Sequence, residues 1–258
     1  MPKKFVRNVL KLLPGHHHVR NIFYIGQVSD VLFGYAYERH STGVQCYLYN
    51  LPLFLKSQIL HLDYSVRIPY PSGEIPITNA MEKKFLGVER KYNSWDDEQV
   101  ASEFVRICQE FRDTKFRYEA NLDGFIQRIL EQSKSGYSGP LPPLMIDNSK
   151  RLYSLAAAFA IKGDRDLAIA DLEIFFDKVA LDKRIDTKTQ VYSIDAGGAK
   201  GEMNIVPLHH EGAISESKEN PLLNDARQLY ALLRENGDAA IKWLKAIEET
   251  NKVAFKLK

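Results

Sequence analysis

From residue 21 the apolar residues stop recurring at helical spacing and begin to alternate, and this change of period constrains the fold more than any other feature. Asn21 to Gln27 is short and rich in Ile, Phe and Tyr. Val31 to Glu38 sets Val31, Phe33, Tyr35 and Tyr37 on one face, with Gly34 and Ala36 on the other. Arg39-His40-Ser41-Thr42-Gly43 suits a hairpin connection, and Val44 to Tyr49 returns as a β-branched and aromatic strand. His61 to Ile68 alternates cleanly. Leu62, Tyr64, Val66 and Ile68 are expected to face the core, and His61, Asp63, Ser65 and Arg67 the solvent. Residues 20 to 70 are therefore predicted to form an antiparallel sheet of three or four strands, one face covered by helices. Pro69, Pro71, Gly73 and Pro76 interrupt regular structure after it.

The flanks of this stretch are helical. At the N-terminus Phe5, Val9, Leu12 and Leu13 recur on one face, with Lys4, Arg7, Asn8 and Lys11 opposite, and Pro14-Gly15 stops the helix. Charge interrupts the apolar positions and no small-residue cleavage site follows, so no signal-peptide pattern is present. The whole chain is nearly neutral, 35 basic residues against 33 acidic, yet Lys3, Lys4, Arg7, Lys11 and Arg20 occupy the first 20 positions without an acidic neighbour. Lys4, Arg7 and Lys11 thus form a candidate binding face for an anion, nucleic acid or acidic lipid included.

Beyond residue 90, Ser94-Trp95-Asp96-Asp97 looks like a helix start. Val100, Phe104, Ile107, Cys108 and Phe111 make one apolar stripe, and Leu122, Phe125, Ile126, Ile129 and Leu130 another. Ser133 to Pro143 is rich in Ser, Gly and Pro and reads as a linker. Helices are expected at about 148 to 162 and 165 to 182, then a strand-like Thr189 to Ile194, and a final helical pair opened by Asn220-Pro221 and divided by Gly237. The expected organisation is α+β: an N-terminal helix plus small antiparallel sheet over 1–90, a helical pair over 91–132, a linker over 133–147 and a mainly helical region over 148–258. No apolar run approaches the length of a membrane span.

Within that helical region, Leu152, Leu155, Ala156, Phe159, Gly163, Ala168 and Leu172 occupy the small and large positions of two closely packed helices. The stretch resembles a single tetratricopeptide unit, and Phe175 departs from that pattern where a small residue is preferred. The resemblance covers about thirty residues and implies a helix-pair surface suited to protein contacts.

The chemically suggestive residues are scattered. Tyr192 to Gly201 resembles the Gly-rich oxyanion loop of patatin-like lipid hydrolases, with Ala196 in place of the first glycine, but no Gly-x-Ser-x-Gly elbow follows to supply a nucleophile. Gly197, Gly198 and Lys200 fail as a phosphate loop, because no Ser or Thr follows the lysine, and are read as a surface loop that orders on binding. His16-His17-His18 reads either as native chain or as the remnant of an added tag, and His16 with His18 could share a metal on an extended segment. His209-His210-Glu211 lacks the spacing that puts two imidazoles on one helix face. His61, Asp63 and Arg67 form a candidate polar patch on one strand face. Cys46 and Cys108 both look inward, as inert reduced thiols.

No catalytic residue, metal site or cofactor motif is assigned on this reading. The expected role is a non-enzymatic interaction subunit or adaptor of a larger assembly, cytoplasmic, with a protein partner. One alternative is a hydrolase or nuclease acting on an anionic substrate with residues from distant segments. Another is a nucleic-acid-binding module, using the basic helix with Phe23, Tyr24, Tyr35, Tyr37, Tyr47 and Tyr49 as stacking platforms.

Overall fold

The computed structural model describes residues 3–25, 28–40, 43–56, 64–69, 71–77, 84, 87, 92, 98–134, 139, 141, 148–185 and 221–257. Alternation becomes sheet where it was expected, and a little earlier. Strands β1 (His16–Val19), β2 (Ile22–Ile25), β3 (Val31–His40), β4 (Gly43–Pro52) and β5 (Val66–Arg67) lie side by side in chain order. β6 (Glu74–Pro76) joins the same edge of β4 beyond β5, and every pairing is antiparallel. The backbone of the sheet is the β3–β4 hairpin, paired without a break from Val31 opposite Pro52 to His40 opposite Gly43. Gly34 is required there because a Cβ at that position would lie 2.1 Å from the Phe23 carbonyl oxygen of β2.

The predicted sheet had one covered face; both are covered. All ten residues of β4 are buried. Tyr47, Tyr49 and Leu51, with Ile22, Tyr24, Leu32 and Ala36, join a core formed with α3 (Leu122–Gln132), α4 (Asn148–Lys162), α5 (Arg165–Ile185), α6 (Pro221–Glu235) and α7 (Gly237–Phe255). Val44, Cys46 and Leu48, with Phe23, Tyr35 and Tyr37, meet α1 (Lys3–Leu12) and α2 (Glu98–Thr114) on the other side. Tyrosine is the reason the second covered face escapes a binary reading: its ring fills a core while its hydroxyl mimics a polar position. Among the described residues the architecture is α+β, an antiparallel sheet between a two-helix layer and a five-helix layer.

A second correction concerns Tyr64, Val66 and Ile68, expected on one face. All three are buried, but Tyr64 belongs to the five-helix side and Val66 and Ile68 to the other. β5 is only two residues long, so Tyr64 precedes it in a turn where the period of two does not apply. Gln45 fastens the segment that follows. Its side-chain amide donates to the carbonyls of Ile68 at 2.8 Å and Gly73 at 3.1 Å.

The helices follow their sequence signals. Asn121 caps α3 by accepting from the Gly124 amide at 2.9 Å, and Asn236 caps α7 by accepting from the Asp238 amide at 3.0 Å. α4 and α5 turn at Gly163, whose φ of +85° suits glycine, and run antiparallel so that Tyr153 meets Phe175 at 6.3 Å between ring centres. α7 is tied to the far end of the sheet. Asn251 donates to the carbonyls of Leu53 and Leu55 at 2.6 and 2.8 Å. Glu248, 2% exposed, accepts from Lys245 at 2.8 Å and Lys252 at 2.6 Å, and Lys245 also reaches Asp30. No helix among the described residues is long and apolar enough to cross a membrane.

The two-helix layer closes on Phe104 of α2, whose ring meets Phe5, Phe23 and Tyr37. Phe104→Ala is expected to cost about 3–5 kcal/mol in urea unfolding, the range for removing a fully buried ring. Val253→Ala, at a side chain largely in water, is expected to stay within about 0.5 kcal/mol.

Candidate interaction surface

α1 is short, about 15 Å of helix, and its place is fixed by one residue. Phe5 contacts Tyr37 at 5.2 Å, Phe104 at 5.8 Å and Phe23 at 6.4 Å, all edge to face. Phe5, Val9 and Leu13 are completely or almost completely buried. Two positions differ from the helical pattern: Asn8 is buried although it was expected on the polar face, and Leu12 is 45% exposed although it was expected in the core. The buried arc is thus centred on Phe5 and Val9, rotated away from Leu12, because α2 covers the helix from one side as the sheet covers it from below.

With that arc inside, Lys3, Lys4, Arg7 and Lys11 all point to water. Among the described residues none of the four has a carboxylate at ion-pair distance. Elsewhere several exposed cations are paired: Arg106 is held by Glu103 and Glu110, Arg117 by Glu131, Lys162 by Asp123 and Lys56 by Asp225. Lys3 and Lys4 also sit in the first turn, where the helix dipole is positive and no acidic residue offsets it. Such placement costs about 0.3–1 kcal/mol per charge. Lys4, Arg7 and Lys11, singled out in the sequence, therefore share one exposed and uncompensated face.

The histidines after α1 are part of the sheet. β1 pairs His16 with Ile25, His17 with Tyr24 and His18 with Phe23; the His16 ring stacks on Tyr35, and the His17 and His18 rings lie tilted against Tyr24 and Phe23. His16 Nδ1 and His18 Nε2 are shielded from water without a hydrogen-bond partner, and burial lowers the pKa of both imidazoles. Arg20, at the tip of the β1–β2 turn, is exposed with φ of +53° in the left-handed region. Asn21 holds this turn by donating from its side chain to the Tyr37 carbonyl at 2.7 Å.

The other expected sites do not assemble around this face. Arg67 is exposed on β5 opposite Tyr47, whose hydroxyl donates to Glu38 at 2.5 Å. His61 and Asp63 lie outside the described residues, as do Gly197, Gly198 and Lys200. Ser94 and the strand-like Thr189 to Ile194 lie outside them too. The aromatic platform is contradicted: Phe23, Tyr24, Tyr35, Tyr37, Tyr47 and Tyr49 are all buried and present no ring to a base. Cys46 and Cys108 are buried against each other, and burial, then the neighbouring thiol, pushes Cys108 well above the ordinary thiol range.

Three groups outside the sequence expectations stand out. Arg128 of α3 is 1% exposed, donates to the Tyr64 carbonyl at 2.6 Å and lies 5.7 Å over the Phe116 ring. Tyr64 and Ser154 share a buried hydroxyl pair at 2.5 Å, with Lys150 over the tyrosine ring. Asp171 of α5 is half-buried beside exposed Leu167 and Ile174. None of these carries a motif; each is made by neighbours distant in sequence or by one turn of helix. No family model, no curated protein and no solved structure matches the chain.

Two outcomes follow from β1 and its turn. The native imidazoles of His16 and His18 favour the neutral form relative to the unfolded chain, so their contribution is present above the ordinary histidine pKa and is lost as pH falls through it. Urea unfolding at pH 7.5 and 5.0 should show this loss, and the double variant His16→Phe/His18→Phe should lose less. Arg20→Gly, which removes the left-handed cost, is expected to raise stability by about 1 kcal/mol. An unchanged melt would mean that the turn is held by contacts of the arginine side chain.

Proposed function

We propose that this chain is a non-enzymatic interaction subunit that meets an acidic protein surface through the exposed face of α1. The observation that carries this reading is the set of four outward cations without carboxylate partners among the described residues, on a helix whose Phe5 and Val9 are already used in the core. A protein retains uncompensated charge against a helix dipole at a cost, and a complementary acidic surface would offset that cost on binding.

The same arrangement argues against the other anionic targets. A helix that lies in a membrane interface needs an apolar face to insert, and Phe5 and Val9 have none to offer while the fold is intact. A single-stranded nucleic acid needs aromatic platforms beside the cations, and the sheet aromatics are inside. The buried thiols fit a reducing compartment, which supports a cytoplasmic setting. The α4–α5 helix pair, the part that resembles a tetratricopeptide unit, would offer a second contact surface.

Purification of the full chain from its native source tests this. The expected result is a stoichiometric protein partner that resists nuclease treatment, dissociates between low and high salt, and is lost with Lys4→Glu/Arg7→Glu/Lys11→Glu. Retention of the partner by the triple variant, or recovery of nucleic acid in its place, would overturn the reading.

A further inference from the structure

α5 buries Ala168, Leu172 and Phe175 against its neighbours and leaves a second stripe outward. Leu167, Asp171 and Ile174 follow one another at helical spacing along it, Leu167 52% and Ile174 47% exposed. Large aliphatic side chains in water on either side of one carboxylate are unusual on a chain that otherwise buries its leucines and isoleucines well. Asp171 is the sharper anomaly. Its Oδ2 is shielded from solvent and accepts no hydrogen bond from the described residues. The nearby cations are committed or distant. Arg165 donates to the Arg234 carbonyl at 2.8 Å, and Lys178 lies two helical turns away, about 10 Å along the axis. Burial accordingly raises the Asp171 carboxyl to about 6. A carboxylate flanked by exposed aliphatic groups, one oxygen of which lacks a donor among the described residues, is complementary to a cation that arrives with aliphatic groups of its own.

α1 presents that chemistry. Lys11 is outward and unpaired among the described residues, and Leu12 beside it is 45% exposed. Lys4 and Arg7 continue the positive charge along the same helix. Within one chain the two stripes cannot meet, since α1 packs on one side of the sheet and α5 belongs to the layer on the other.

We infer that the α5 stripe docks α1 of a second copy of this chain, with Lys11 of one copy on Asp171 of the next and Leu12 between Leu167 and Ile174. The inference rests on the reading of α1 as a contact face and names its acidic partner surface. The two patches lie on opposite sides of the sheet and do not both face one partner, so the contact is heterologous: each joined pair still exposes one α1 and one α5, and association continues with concentration. The patch is small and charged, so the contact is weak and salt-sensitive.

Sedimentation of the full chain at rising concentration tests this with wild type, Lys11→Glu, Asp171→Lys and Asp171→Asn, each first confirmed folded by its thermal melt. Wild type should gain mass with concentration at low salt and return to the 29.5 kDa chain mass at high salt. Each charge-reversed variant alone should stay at the chain mass, and Asp171→Asn should associate more weakly than wild type. The decisive sample is an equal mixture of Lys11→Glu and Asp171→Lys. The first retains an intact α5 and the second an intact α1, and the two reversed faces left over are again opposite in charge, so the mixture should regain mass that grows with concentration as wild type does. A wild type that stays monomeric throughout overturns the inference, as does association that survives either reversal or a mixture that fails to pair. If wild type is monomeric while Lys4→Glu/Arg7→Glu/Lys11→Glu still loses a native partner, self-docking fails and the reading of α1 stands.

Discussion

Strand β4 has no side facing water. From Gly43 to Pro52 every residue is buried, and successive side chains enter opposite cores. A strand of this kind needs a helical layer on each face, because leaving either in solvent exposes alternate Val, Cys and Leu or alternate Tyr and Leu. The rest of the molecule follows from that demand. α1 and α2 close one side around Phe104, and the longer helical series closes the other around Tyr49, Tyr64 and Phe125. Residues as far along as Asn251 are tied back to the carbonyls just beyond β4.

This demand also explains why α1 presents charge and not oil. A ten-residue helix has little intrinsic stability, so it persists through the burial of Phe5, Val9 and Leu13. Once those positions are taken, the remaining surface of the helix is mostly lysine and arginine, with Leu12 the large apolar side chain left outward. Polar groups elsewhere show what completed pairing looks like. Glu248 is almost fully buried and holds two lysines. Burial alone would lower those amines, but the hydrogen bonds to carboxylates outweigh it and raise them. Against that standard the cations of α1 and the Oδ2 of Asp171 are charged groups without a partner among the described residues.

Much of the fold was legible from period and punctuation. The alternation of Val31 to Glu38 and Val44 to Tyr49 marked the central hairpin, and Pro221 and Gly237 marked the starts of the last two helices. What escaped was the second covered face, because Tyr47 and Tyr49 count as half-polar in a binary pattern and yet fill a core. The exchange of Asn8 and Leu12 escaped for a related reason: a helical wheel gives the width of an apolar arc, but the packing partner sets its rotation. Lys4, Arg7 and Lys11 were readable because charge without acidic neighbours is a local property. Asp171 was not, since its significance lies in the absence of a donor, which only three-dimensional neighbours decide.

The central claim is that α1 is an integral part of the core, so that its basic face is outward by construction. Native-state hydrogen exchange measures this directly. Amides from Arg7 to Leu13, which have acceptors within the helix, should be protected well above the fraying expected of a short terminal helix and should lose protection together with β4. Exchange of that segment within seconds while β4 stays protected would mean that the helix detaches, freeing Phe5 and Val9 for another surface, and would contradict the account.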